Sequence, residues 1–159
     1  MKLADRVTAL LGVLALLSVT AMVLTAGDYL RGTEAARDFV IEVSNLELTE
    51  EPSPEISVAL RIQNRSPLTV ELDRVHFSIY LNRNFVASNY GGFEKVTLAG
   101  LEEQTLDFDI PLQPFYLRYI EEAREQEEFS WVIRGRGKLI LVFRESEIWL
   151  NISGRWKGT

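Results

Sequence analysis

Residues 55–82 read EISVALRIQNRSPLTVELDRVHFSIYLN. In the first half Ile56, Val58, Leu60 and Ile62 take every second position, with Ser57, Arg61 and Gln63 between them. A period of two sends alternate side chains to one side of an extended chain, so the pattern predicts a strand with one buried face. Asn64, Arg65, Ser66 and Pro67 follow as a run of turn formers, and a second alternating run comes after them. The stretch therefore predicts two long antiparallel strands joined as a central hairpin, the seed of a sheet. In the second strand Val70 and Leu72 are even-numbered while Val75, Phe77, Ile79 and Leu81 are odd. A slip at Asp73 and Arg74 is needed to keep both sets on one face.

The same parity organises the chain on either side. Phe39, Ile41 and Val43 alternate, then Leu46 and Leu48 do so on the opposite parity, which predicts a bulge near Asn45 before Pro52 and Pro54 end the strand. Asn82-Arg83-Asn84 reads as a turn into Phe85-Val86-Ala87, Tyr90-Gly91-Gly92 as a break, and Phe93 to Leu98 as a short strand. Leu106, Phe108, Ile110 and Leu112 alternate with Asp107, Asp109 and Pro111, a strand that Pro111 assigns to an edge or an end. At Pro114 the period changes to a helical one, with Tyr116, Ile120 and Ala123 on one side. On this helix Arg118 is four residues from Glu122, and Arg124 four from Glu128. From Phe129 to Phe143 one parity holds through Trp131, Ile133, Gly135, Gly137, Leu139 and Leu141. A strand of that length is expected to bend at the two glycines and change sheets. Glu145-Ser146-Glu147 is then a turn, and Ile148, Leu150 and Ile152 mark the last strand. The fold class is mainly β: an immunoglobulin- or fibronectin III-like antiparallel β-sandwich with one short helix.

Ahead of the sandwich, residues 7–27 form an uncharged run of 21 residues. As a helix it extends about 31 Å, the hydrocarbon thickness of a bilayer, and it is apolar all round. A cleaved signal peptide ending near Val19-Thr20-Ala21 is the competing reading; apolar character continuing to Leu24 favours a retained single-pass anchor. Lys2 and Arg6 before the span predict a cytoplasmic N-terminus and an extracytoplasmic domain at the cell membrane, or a secreted domain if cleavage occurs. The division is thus 1–27 tail and membrane helix, 28–37 juxtamembrane stalk, and 38–159 sandwich. The 159-residue chain has no cysteine, which excludes disulfides, a thiol nucleophile and thiolate metal sites. Its net charge is −6, and residues 1–27 hold only Lys2, Asp5 and Arg6, so the sandwich is acidic and unsuited to nucleic acid.

From about Phe39 to Trp156 the chain resembles the late embryogenesis abundant type 2 domain, also called the water stress and hypersensitive response domain. The residues that carry the likeness are Leu60 to Asn64 leading into Pro67 and Val70, Ile79 to Asn82 with Phe85-Val86-Ala87, the Leu106 to Leu112 strand and Ile133 to Gly137. Asn64-Arg65-Ser66-Pro67 stands where the family carries an Asn-Pro-Asn-like turn. The resemblance implies a fibronectin III-like sandwich behind a membrane helix, and a stress-protective or accessory role without chemistry of its own.

No phosphate loop, dinucleotide fingerprint or Gly-x-Ser-x-Gly elbow is present. His76, the only histidine, falls on the parity opposite Phe77 and Ile79, a solvated strand face rather than a catalytic triad. Asp107 with Asp109 and Glu102 with Glu103 read as solvated charge rather than a calcium site, so no catalytic residue, metal or cofactor is assigned, and no small-molecule substrate. Arg134, Arg136 and Lys138 project from one strand face: a contact for an anionic partner or lipid headgroup, or charge that protects a sheet edge. Trp149 falls on the outward parity of the last strand and is the candidate partner-surface aromatic. Two functions follow. One is a non-enzymatic, membrane-anchored binding or stress-protective module with the bilayer and an unidentified protein as partners. The other is a single-pass accessory subunit whose Gly12, Ala15 and Ser18 form a helix-packing face.

Overall fold

A computed structural model describes residues 3–49, 53–90, 93–125, 128–141 and 144–157. The elements in order are α1 (Leu3–Arg37), β1 (Phe39–Thr49), β2 (Glu55–Asn64), β3 (Val70–Leu81), β4 (Asn84–Ser88), β5 (Val96–Leu98), β6 (Glu103–Pro111), α2 (Pro114–Glu125), β7 (Glu128–Leu141) and β8 (Arg144–Lys157). Two antiparallel sheets form a sandwich. One runs β1-β2-β6; the other runs β4-β3-β7-β8, with β5 also paired to β3. The core lies between them and holds Ile56, Val58, Leu60 and Ile62 of β2 against Val75, Phe77 and Ile79 of β3 and Ile133 and Leu139 of β7.

Both expected register slips occur. The β1–β2 ladder shifts between Val43 and Asn45, and the β3–β7 ladder between Leu72 and Arg74. Each shift lets one strand keep its apolar residues inward after its sequence parity has changed. Asn82 and Arg83 have φ of 45° and 73°, and they alone separate β3 from β4. Two left-handed residues between paired strands form the tight turn whose twist matches that of a hairpin. β6 is an edge strand, as Pro111 required.

Three expectations are corrected. β2 and β3 are not a hairpin: they belong to opposite sheets, and residues 65–69 arch across the core between them. Asn64 holds the arch. Its side chain is 1% exposed. Its Nδ2 donates to the carbonyls of Leu68 at 2.6 Å and Ala99 at 2.8 Å, while its Oδ1 accepts from Ser66 N and Oγ. These bonds turn the chain from one layer to the other, where alternation alone reads the same for a hairpin and an arch. Second, β7 keeps to one sheet throughout, paired with β3 on one side and β8 on the other. Gly135 serves close approach instead of a corner: a Cβ there would stand 2.2 Å from the carbonyl oxygen of His76. Third, Glu145, Ser146 and Glu147 lie in β8, opposite Ile140, Leu139 and Lys138. Phe143 and the side chain of Phe129, expected in the core, lie outside the described residues.

α1 is one helix through Arg37. Its segment Val13–Arg37 is long and apolar enough to cross a membrane, with a mean hydropathy of 1.8 over its most apolar window. Its last turns rest on the sandwich. Ala35 is fully buried and Ala36 half-buried, both against the core. Arg144 of β8 donates from Nη1 to Thr33 Oγ1 at 2.9 Å and lies 4.9 Å over the Tyr29 ring. At the other end α2 packs on β4, with Tyr116 edge-on to Phe85 at 5.2 Å. On α2 Arg118 lies 4.4 Å over Phe115 and 4.6 Å over Tyr119, the rings it takes in place of the Glu122 predicted by spacing.

Candidate functional site

The outer face of the larger sheet carries the residues the sequence nominated. Alternation along β7 turns Ile133, Gly137 and Leu139 inward, so Arg134, Arg136 and Lys138 point away from the core. Pairing then fixes their neighbours. His76, Arg136 and Trp149 form one rung across β3, β7 and β8, and Ser78, Arg134 and Asn151 form the next. The two rungs make an open groove of about 840 Å³, closed on the β3 side by Tyr90. Trp149 is 77% exposed and Tyr90 83% exposed, so two large rings flank the cationic floor.

Tyr90 owes its place to Asn89. The buried Asn89 amide accepts from Phe77 N at 2.6 Å and donates to Val75 O at 2.9 Å. Its own backbone N–H donates to Phe77 O. These bonds fasten the chain after β4 along β3, so that the next residue stands beside His76. The His76 imidazole is half-buried, and its Nδ1 is shielded from solvent with no hydrogen-bond partner among the described residues. A shielded ring nitrogen without a partner is costly in an apolar setting and is satisfied by a ligand group or a water.

The three cations nominated together do not share one fate. Lys138 is removed from the group: one rung from Arg136 and Trp149, its Nζ pairs with Glu145 Oε1 at 2.8 Å. Arg134 lies 5.7 Å from the Tyr80 ring centroid, a contact that leaves its fork of donors available. Among the described residues no carboxylate lies within ion-pair reach of Arg134 or Arg136. Among the described residues no Asp or Glu lines the groove, in a chain of net charge −6. Several carboxylates elsewhere do have partners. Glu71 pairs with Lys95 at 2.5 Å, Asp109 accepts from Ser57 Oγ at 2.8 Å, and Glu42 pairs with Arg61. The Arg61 hydrogen bond, reinforced by its charge, holds the Glu42 carboxyl below its ordinary value. No three potential metal ligands come together among the described residues.

The sequence nominated Arg134, Arg136 and Trp149 but not their company. Ser78 and Asn151 enter the groove through strand pairing and Tyr90 through the Asn89 bonds to β3, neither of which is visible in a single strand's pattern. A second hollow, of about 520 Å³ between β4, β6 and α2, is lined by Asp107 and Asp109 as well as apolar groups. A crevice of about 170 Å³ lies where α1 meets the sandwich, beside Arg31 and Arg144.

No protein-family model and no curated protein matches the chain. Solved structures do. A protein from Archaeoglobus fulgidus is similar over 76% of this chain and 96% of its own, with a TM-score of 0.53 and 15% identity. A protein from Arabidopsis thaliana is similar over 74% of this chain and 80% of its own, at a TM-score of 0.55 and 13% identity. A protein described as late embryogenesis abundant covers 90% of this chain and is itself covered to 87%, at a TM-score of 0.52 and 9% identity. At these identities the likeness is one of fold. The chain shares the β-sandwich fold of these proteins, one of them described as late embryogenesis abundant, and carries a long apolar helix ahead of it.

Proposed function

We propose that this chain is a non-enzymatic binding module, tethered to the membrane by α1, that presents the outer face of its larger sheet to an anionic partner on the extracytoplasmic side. The observation that carries the reading is charge segregation. In an acidic chain, no carboxylate among the described residues lines this groove, and two guanidinium groups stand there with no ionic partner among them. Guanidinium forks bind carboxylate, sulfate or phosphate through paired hydrogen bonds, and they do so best when no internal anion competes. The membrane tether is supported by the apolar, uncovered segment of α1 and by the charge placement around it. Docking of Tyr29, Thr33 and Ala35 on the sandwich would hold the domain close above the bilayer rather than on a loose leash.

The absence of native cysteine makes the topology directly testable. Single-cysteine variants at Lys2 and at Ser153 are expressed in intact cells and exposed to a membrane-impermeant maleimide. Labelling at position 153 alone is the expected result. Labelling at position 2, or release of the domain from membranes by carbonate, would overturn the proposed address.

A further inference from the structure

We infer that the groove on the larger sheet takes an anionic oligosaccharide, its sugar rings stacked on Trp149 and Tyr90 and its carboxylate or sulfate groups held by Arg134 and Arg136. The inference rests on the proposed binding face and names what that face binds. Three observations select a sugar over other anions. First, the anion-binding groups lie between two exposed flat rings, and a polyanion recognised by charge alone has no use for rings. The C–H faces of a pyranose pack on aromatic rings, while its rim hydroxyls need mixed donors and acceptors. Second, those groups are present: Ser78 and Asn151 share the rung of Arg134. Third, the groove lies on the face of a sheet whose β3, β7 and β8 backbones are already paired with one another. An extended acidic peptide laid across that face would find no ladder to join and would leave its own amide groups poorly satisfied.

A lipid headgroup fits less well than a glycan because of position. The membrane-side landmark is the contact of α1 with Arg144. Trp149 lies five residues further along the same strand, about 17 Å away at 3.3 Å per residue. The groove is thus set apart from the contact that ties the sandwich to α1, instead of lying beside it.

Titration calorimetry on the full chain in neutral detergent separates the possibilities. The probes are oligogalacturonate, a sulfated heparin oligosaccharide, neutral cello-oligosaccharide, poly-L-glutamate of matched charge, and phosphatidylglycerol vesicles. At least one of the two acidic oligosaccharides is expected to bind at least tenfold more tightly than poly-L-glutamate or the neutral sugar, or about 1.4 kcal/mol. The R134Q/R136Q double variant should weaken that binding at least tenfold, and so should W149A, which changes no charge. Because both rungs are on the solvent side, W149S serves as a second variant if W149A folds poorly. Equal binding of poly-L-glutamate, or W149A binding the acidic sugar as tightly as the unaltered chain, overturns the sugar assignment but keeps the anionic face. Preferential binding of the vesicles through Arg134 and Arg136 does the same in favour of lipid. Failure of every anionic probe overturns the binding face itself.

Discussion

Asn64, Gly135 and Glu42 show how single residues decide geometry here. Asn64 satisfies the arch by taking the place of a strand partner for the carbonyls of Leu68 and Ala99. Asn64→Ala removes the donor and leaves buried carbonyls unpaired, so the expected loss is roughly 2–4 kcal/mol, read by urea unfolding. Asn64→Asp should be no better, because a carboxylate cannot donate to those carbonyls. Gly135→Ala forces a methyl group against the β3 backbone, where the nearest atom would be at 2.2 Å. Separation of β3 from β7 should cost about 1–3 kcal/mol, with the loss of amide protection strongest at His76 and Phe77. Glu42 gives a pH signature. Its folded pKa is lowered from the ordinary 4.5, first by the hydrogen bond from Arg61 and then by Arg61's charge. The pair therefore contributes fully above the unfolded value and loses its contribution as pH falls through the lower folded one. Glu42→Gln should lower the urea midpoint slightly at neutral pH, and the gap should close as pH falls below the ordinary 4.5 and through the lower folded value. A gap between the two proteins that persisted in acid would contradict the assignment of that pair.

At the scale of elements, parity was legible and partnership was not. The alternations in β2, β3 and β6 predicted which side chains are inward, and the slips at Asn45 and at Asp73 were needed and found. Those rules are local, because residues two apart share a face whatever lies next to them. Which strand lies alongside depends on loops that read alike in different topologies. A four-residue run of turn formers serves a hairpin or an arch, and here it is the buried Asn64 amide that makes it an arch. For the same reason β7 was expected to change sheets, whereas Gly135 admits the close approach of β3 and Gly137 makes room for Ile148 of β8. The groove follows from this second kind of information. Arg136 and Trp149 are thirteen positions apart, and only the β7–β8 register sets them side by side. The α1–sandwich contact has the same origin, since Arg144 reaches Thr33 across 111 residues. Ala35→Glu should undo that contact while leaving the sandwich intact. Amide exchange is expected to quicken in residues 29–36 and stay unchanged in β2 and β3.

For the whole molecule, the consequence of helix docking is a domain whose stability is shared with the end of α1. A fragment of residues 28–159 should unfold at higher urea than one of residues 38–159, by roughly 1–3 kcal/mol for the buried Ala35 and Ala36 methyls and the Thr33 bond. Equal midpoints would mean that the last turns of α1 hang free of the sandwich. By itself the sequence determined the β class, the inward faces, the apolar span and the acidic exterior, because each depends on spacing and composition within one short segment. Tertiary structure alone decided that β2 and β3 face each other across the core, that Lys138 is paired with Glu145, and that Tyr90, His76, Arg136 and Trp149 line one groove. The reason is physical: a sheet's outer surface is assembled from different strands, and the register between strands is set by packing of the whole, not by any one of them.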